Sequence, residues 1–354
     1  MRAVVFEKYQ SAPVLTEVEK PTPGPGEVLL KVAGAGACHS DVAVFREFDK
    51  EHGPAQLRPS FVLGHESSGW VEEIGPGVGA GIEVGAAYLV YGPMGCGHCP
   101  ACSRGQDTYC ENAATMPHLA AGLGRDGGMA EYVAVPARNL VPLGDADPVA
   151  AAPLSDAGLT PYHAIKKSLP VLQKGGATAL VIGLGGLGQL GVQIIRALTG
   201  ATVIATDTKP DAMRRAEESG AVTVPGGPDQ AAAIRDITGG RGVDAVFDFV
   251  GAAPTIALAM ASVALQGRVT VVGIAGGTYE WGFYGVPYEV ELTSTYWGTI
   301  EELHEVVALY RAGRITPDVE VFELDDALEA YRRLEAGELS GRAVVAPHGT
   351  VSAS

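Results

Sequence analysis

The sequence predicts an α/β protein in two parts, a strand-rich barrel followed by a doubly wound parallel sheet, and three observations carry that reading. The chain has 354 residues, more than one ordinary core holds, so about two domains are expected. Its first 150 or so residues are short apolar or alternating runs cut by Pro/Gly turns, the pattern of successive β-strands. From about residue 157 longer apolar runs alternate with helical patterns, as repeated β-α units do.

Taken in order, AVVFEK, EVLLKVAGAG, SSGWVEEIG and MAEYVAVP read as strands of the first part, separated by turns such as PTPGPGE and GPGVGAGIEVG. In the second part ATALVIG, ATVIATD, AVTVP, GVDAVFDFVG and GRVTVVGIAG read as strands of a parallel sheet with helices on both faces. Near residue 300 the pattern changes again. IEELHEVVALYRAGR carries apolar residues at Ile300, Leu303, Val306, Val307 and Tyr310 and reads as a helix. After it come VEVFEL, a helix from about Asp325 to Glu335, and RAVVAP. This tail is expected to return to the first part, so the division is residues 1–157 with 298–354, against 158–297.

Composition narrows the function classes. With 47% hydrophobic and 19% charged residues, the chain can form a packed core and is not a disordered or fibrous protein. Its 25 Lys+Arg against 41 Asp+Glu leave a formal charge of −16, which repels polyanions and argues against a nucleic-acid partner. The N-terminal MRAVVFEKYQ has charges at Arg2, Glu7 and Lys8, which interrupt the apolar core of a secretory signal, so a cytoplasmic location is expected. Between Lys174 and Arg196 lie 21 uncharged residues, long enough to span a bilayer. Seven of them are Gly, and with Gln189 and Gln193 they read as strand, turn and buried helix, not as a membrane span. Five cysteines cannot all pair, and in a reducing compartment they are free to hold metal.

The sharpest motif is CGHCPACSRGQDTYC, which puts Cys96, Cys99, Cys102 and Cys110 in one loop. Four thiolates at this spacing can wrap one Zn2+ tetrahedrally at about 2.3 Å, a closed site that supports folding instead of reaction. Burial alone is a poor explanation, because the surrounding Gly and Pro make no core. A ferredoxin-type cluster needs its last Cys after three residues and then Pro, whereas here seven intervene and Glu111 follows.

The fifth cysteine, Cys38, lies in GACHSD; FVLGHES supplies His65 and Glu66, and PLSDAGLTPYHAI supplies Asp156. Cys, His and carboxylate are the donors of a catalytic zinc with one open position. Read one at a time, each has a plainer role: a packed Cys or His, and for Asp156 a helix N-cap. In LVIGLGGLGQLG, Gly183, Gly185 and Gly188 form G-x-G-x-x-G directly after a strand and before a helix, and Gly186 and Leu187 of the same turn are expected to contact the cofactor with them. Such a turn lets a pyrophosphate approach the helix N-terminus. ATVIATD then ends in Asp207, whose carboxylate suits the ribose hydroxyls of NAD and repels the 2′-phosphate of NADP. The plainer reading of Asp207 is a solvated loop residue or cap.

The order of GACHSD, GHE, the four-Cys lobe, DAGLTPYHAI, the Gly-rich turn and YWGT resembles the zinc-dependent medium-chain alcohol dehydrogenases over essentially the whole chain. Within that family it is most similar to bacterial secondary alcohol dehydrogenases that also reduce ketones. The resemblance implies a GroES-like β-barrel catalytic domain and a Rossmann domain, with the active site in the cleft between them. It places the catalytic zinc on Cys38, His65 and Asp156, a position where many relatives carry Cys, and makes Glu66 an alternative ligand. Asp41 would hold the zinc histidine, Ser40 would take the substrate proton, and Arg342 and His39 would lie near the pyrophosphate. Tyr296, Trp297 and Ala43 would line the substrate pocket, and further cofactor contacts are expected from Val250, Val272, Ile274, Trp297 and Gly298. Horse-liver-type relatives carry a proton-relaying His at the place of Ala43, so proton exit is expected through His39 or water.

The family implies NAD(H), two Zn2+ per chain and a small-molecule alcohol or ketone substrate. It also implies a homodimer or homotetramer built by joining sheets edge to edge, for which GVPYEVELTS is a candidate segment. Its expected chemistry is loss of the alcohol proton at zinc followed by hydride transfer to the nicotinamide. A polyol or threonine dehydrogenase of the same family is the nearest alternative. A zinc-free quinone oxidoreductase would lack Cys38, His65 and the four-Cys lobe, and a non-catalytic sensor would not need Ser40.

Overall fold

The computed structural model describes residues 1–349. The chain divides into one unit of Met1–Asp156, Thr299–Arg311 and Pro317–Ser354, and a second of Ala157–Gly298 and Ala312–Thr316; residues 350–354 lie outside the described residues. The C-terminal return is therefore interrupted once. Ala312–Thr316 stays with the second unit because the Gln193 side chain pairs with Thr316, donating to its carbonyl at 3.1 Å and accepting its N–H at 2.7 Å.

The first unit is organised by the strand Glu27–Gly36, whose apolar residues Val28, Leu29, Leu30 and Val32 are all buried. It pairs antiparallel with Glu66–Ile74, with Tyr132–Pro136 and with Arg342–Ala346. Ala87–Val90 and Leu140–Pro142 extend this sheet on one side and Val319–Glu323 on the other. A smaller sheet joins Val14–Glu17, Arg2–Phe6 and Phe61–Val62. The register decides the chemistry: Gly36 lies opposite both Glu66 and Val344. The segment leading to Cys38, the one carrying His65 and Glu66, and the strand carrying Arg342 thus converge at one end of the sheet.

The second unit is a six-stranded, all-parallel sheet. Its order is Val222–Thr223, Thr202–Thr206, Thr178–Ile182, Val243–Asp248, Val263–Val271, Glu291–Ser294. Numbered along the chain this is 3-2-1-4-5-6, the doubly wound order in which a dinucleotide binds where the strand order reverses. Leu180, Ile204, Val246 and Val269 from the sheet pack with Ile234 and Ile256 from helices, and each such burial stabilises by about 1.5–3 kcal/mol. Among the described residues no helix is long and apolar enough to cross a membrane. The uncharged stretch 175–195 instead supplies the strand Thr178–Ile182 and the helix Gly186–Leu198.

Element ends differ from the sequence reading in explicable ways. AVTVP yields only the two-residue strand Val222–Thr223, because Pro225 follows and cannot donate to a ladder. The helix expected from about Asp325 begins at Ala327 after a 3-10 turn, Leu324–Asp326.

Candidate active site

The helix His39–Arg46 starts directly after Cys38, which holds the extended N-cap position at φ −118° and ψ 152°. Ser40 therefore lies inside the first turn and is not the cap. Its Oγ stands 2.9 Å from Cys38 Sγ and 3.4 Å from His65 Nε2. Asp41 lies one residue further on, fully buried. Its Oδ2 accepts the Cys38 N–H at 3.1 Å and its Oδ1 meets His65 Nδ1 at 2.8 Å. That contact places the ring proton on Nδ1 and leaves Nε2 as a donor atom.

Asp156 arrives from a different segment. It ends the short 3-10 turn Ala152–Ser155, while the next helix, Leu159–Leu172, has Gly158 at its cap position. The N-cap reading of Asp156 is thereby corrected. Instead its Oδ2 stands 3.7 Å from His65 Nε2 and 3.8 Å from Cys38 Sγ. Two donors bound at 2.0–2.3 Å to one tetrahedral ion stand about 3.3–3.8 Å apart, so the three atoms fit a zinc ion.

Glu66 joins the same cluster, in which all the donor atoms lie within 4.8 Å of one another. Both of its oxygens accept from the buried Arg342, Nε at 2.8 Å and Nη2 more closely still. Burial raises the Glu66 pKa, and Arg342 opposes that rise. For His65, burial works against the charged ring, but Asp41, Asp156 and Cys38 outweigh it and raise its pKa well above the ordinary value. A point that draws a proton onto a buried imidazole is one that favours a cation. Arg342 is thus placed on Glu66, with Nη2 3.8 Å from Asp156. His39 is exposed at the start of its helix, and Ala43 is buried within the same helix.

In the loop 95–112 the sulfurs of Cys96, Cys99, Cys102 and Cys110 also lie within 4.8 Å of one another. Backbone N–H groups point at them, from Cys96 to Cys110 Sγ at 3.3 Å and from Cys99 to Cys96 Sγ at 3.4 Å. Such donors stabilise thiolate: the His98 N–H, the Asn112 amide and the Cys99 N–H lower the Cys96 pKa to about 5. Cys102 moves the other way because it is buried, and a bound cation supplies the compensation its thiolate lacks. Arg138, gripping Asp107 at 2.6 and 3.0 Å and the Cys102 carbonyl at 3.3 Å, ties the lobe to its unit.

In the second unit the strand Thr178–Ile182 ends at Gly183, whose φ of +85° favours glycine. A Cβ there would stand 2.6 Å from Val250 Cγ2, and one on Gly188 would overlap the Gly183 carbonyl. Gly185 caps the helix Gly186–Leu198 with open space around it, so backbone N–H groups are left facing outward for an anion. Leu187 and Val250 are half-buried beside this turn in sequence and space.

Asp207 follows the strand Thr202–Thr206 and accepts N–H groups from Leu184 at 2.6 Å and Lys209 at 2.9 Å. The same carboxylate thus braces the Gly-rich turn, with lone pairs left over for ribose hydroxyls. Val272 is half-buried, Ile274 is exposed beyond its strand, and Trp297 and Gly298 are buried while Tyr296 is exposed. Sequence reasoning missed Asp248. Its Oδ1 accepts from Val250 and Gly251 N–H and its Oδ2 from the Thr255 hydroxyl, which shapes the turn after Val243–Asp248. A carboxylate inside the apolar run GVDAVFDFVG was the available signal.

Comparison with known proteins bears on both units. Residues 24–145 match the model of the alcohol dehydrogenase GroES-like domain, and residues 186–312 match that of the zinc-binding dehydrogenases. The chain is 33% identical over 361 residues to an NAD-dependent alcohol dehydrogenase of Sulfolobus acidocaldarius, covering 98% of this chain and 99% of that one. Among solved structures it is similar to the alcohol dehydrogenase of Aeropyrum pernix, with 34% identity and a TM-score of 0.89 over 98% of this chain and 100% of the other. It is likewise similar to the acetophenone reductase of Geotrichum candidum in complex with NAD, with 32% identity and a TM-score of 0.85 over 99% and 98%.

Proposed function

The chain belongs to the zinc-dependent alcohol dehydrogenase family, and we propose that within it the protein interconverts a secondary alcohol and its ketone with NAD(H). The observation that carries this reading is the convergence of Cys38, His65 and Asp156 on one point with the Ser40 hydroxyl beside them. The substrate class draws support from the ketone named for the Geotrichum candidum relative.

Zinc, when bound, supplies a Lewis acid that polarises the substrate oxygen. Cys38, His65 and Asp156 would hold it, two anions and one neutral ring matching its charge. Asp41 keeps the His65 ring in the tautomer that presents Nε2. Ser40, held among the ligand atoms, takes the alcohol proton during oxidation and returns it during reduction. Arg342 holds Glu66 by two hydrogen bonds, opposing the upward pKa shift that burial imposes on that carboxyl. The Gly183–Gly188 turn receives the pyrophosphate and Asp207 the ribose hydroxyls, which disfavours a 2′-phosphate.

The four thiolates of the lobe would hold a second, structural zinc, and their need to stay reduced fits a cytoplasmic location. A homodimer or homotetramer fits the strand Glu291–Ser294, which among the described residues is paired on one side only, at the edge of the parallel sheet.

A panel of primary, secondary, aryl and polyol alcohols, with threonine, assayed with NAD+ and NADP+ tests the reading. The highest kcat/KM is expected for a secondary alcohol with NAD+. A preference for threonine or a polyol would place the protein elsewhere in the family, and a preference for NADP+ would overturn the role given to Asp207.

A further inference from the structure

The buried Tyr331, on the helix Ala327–Glu335, touches the zinc-binding region although it lies 290 residues from its partner. Its hydroxyl donates to Asp41 Oδ2 at 3.0 Å, on the carboxylate whose other oxygen meets His65. The ring stands edge-on to Phe45 at 5.6 Å and 83°. One turn further on, Glu335 accepts from Arg46 at 2.7 Å. Asp41, Phe45 and Arg46 all belong to the helix His39–Arg46, so the C-terminal helix braces that helix at three points. Two of them are packing and an exposed ion pair; only the hydroxyl reaches the carboxylate that orients the metal ligand.

We propose that Tyr331 is a positioning residue of the zinc site, its hydroxyl fixing Asp41 and through it the His65 ring. Among the described residues Asp41 Oδ2 has two donors, the Cys38 N–H and the Tyr331 hydroxyl. The first comes from the backbone of a ligand residue and sets where the helix starts. The second comes from outside that segment and prevents the carboxylate from turning about its own Cβ–Cγ bond. Without it the Oδ1 contact to His65 loses its fixed direction, and Nε2 is presented over a wider arc. Partners one step beyond a metal ligand typically change metal affinity about 10–100-fold, so a residue one step further out belongs at the lower end of that range.

The inference rests on His65 being a zinc ligand, and the test separates the two claims. Tyr331→Phe keeps the ring against Phe45 and removes only the hydroxyl. In the cobalt-substituted holoenzyme the variant is expected to shift the d–d absorption bands of the Cys38 site. Zinc from that site should pass to a chelator up to about tenfold faster, while the zinc of the four-Cys lobe leaves at the wild-type rate. Glu335→Gln serves as the control, since it weakens the same helix contact without touching the hydroxyl, and should leave spectrum and release rate unchanged. A Tyr331→Phe spectrum superimposable on wild type, or an equal shift from Glu335→Gln, would overturn the role of the hydroxyl alone. Wild-type protein that takes up no second cobalt ion would overturn the ligand assignment together with it.

Discussion

Ser40 is the side chain whose role is most open to a single substitution. Its hydroxyl lies among the donor atoms of Cys38 and His65 and not at the helix cap, so removing it should cost rate and little stability. Ser40→Ala is expected to keep two zinc ions and NADH binding yet lose about 10²–10⁴-fold in kcat, with Ser40→Thr remaining active. Unchanged turnover accompanied by a lower melting temperature would assign the hydroxyl to structure instead. Asp156 makes a complementary case, because the cap reading has no geometric support. Asp156→Ala should lose one zinc and its activity, whereas Asp156→Cys should retain the metal. Elemental analysis of the three proteins decides between these outcomes.

At the scale of elements, the four-Cys lobe and the parallel sheet respond to different perturbations. Cys99→Ser should remove one zinc per chain and lower the melting temperature, because a structural site contributes its binding energy to folding. The Cys38 site lies in other segments and should still take up metal. In the second unit Asp244 pins the start of the central strand, accepting the Thr178 N–H at 2.8 Å and its hydroxyl at 3.1 Å while Arg241 grips it. Burial pushes this carboxyl upward, but Arg241 and Thr178 prevail and hold it below the usual value. Because the folded-state pKa is the lower one, the stabilisation is present above about pH 4 and disappears as the pH falls below it. Asp244→Asn should lose about 1–3 kcal/mol at neutral pH and show a correspondingly weaker acid dependence, read by denaturant titration at several pH values.

For the whole molecule the prediction concerns assembly. Trp281, Phe283, Tyr284 and Tyr288 are exposed, Tyr284 to 91%, in the segment preceding the edge strand Glu291–Ser294. Light scattering is expected to give a dimer or tetramer mass, and replacing Phe283 and Tyr284 by Lys should reduce it. A wild-type monomer at micromolar concentration would remove that expectation.

By itself the sequence determined what depends on short spacing. Four cysteines within one loop are close enough along the chain to meet one another, and Gly183, Gly185 and Gly188 sit on one turn between a strand and a helix. The two-unit architecture was legible for a similar reason, since strand and helix periodicities are local. The catalytic cluster was different. Cys38, His65 and Asp156 were candidates with plainer readings until the register that sets Gly36 opposite Glu66 brought the first two segments together and the turn Ala152–Ser155, packed on the same two strands, delivered Asp156. The bonds of Tyr331 to Asp41 and of Arg342 to Glu66, like the return of Ala312–Thr316 to the second unit, span over a hundred residues. Pairings at that distance leave no local pattern, because they are chosen by strand order and helix packing, and only the tertiary structure decided them.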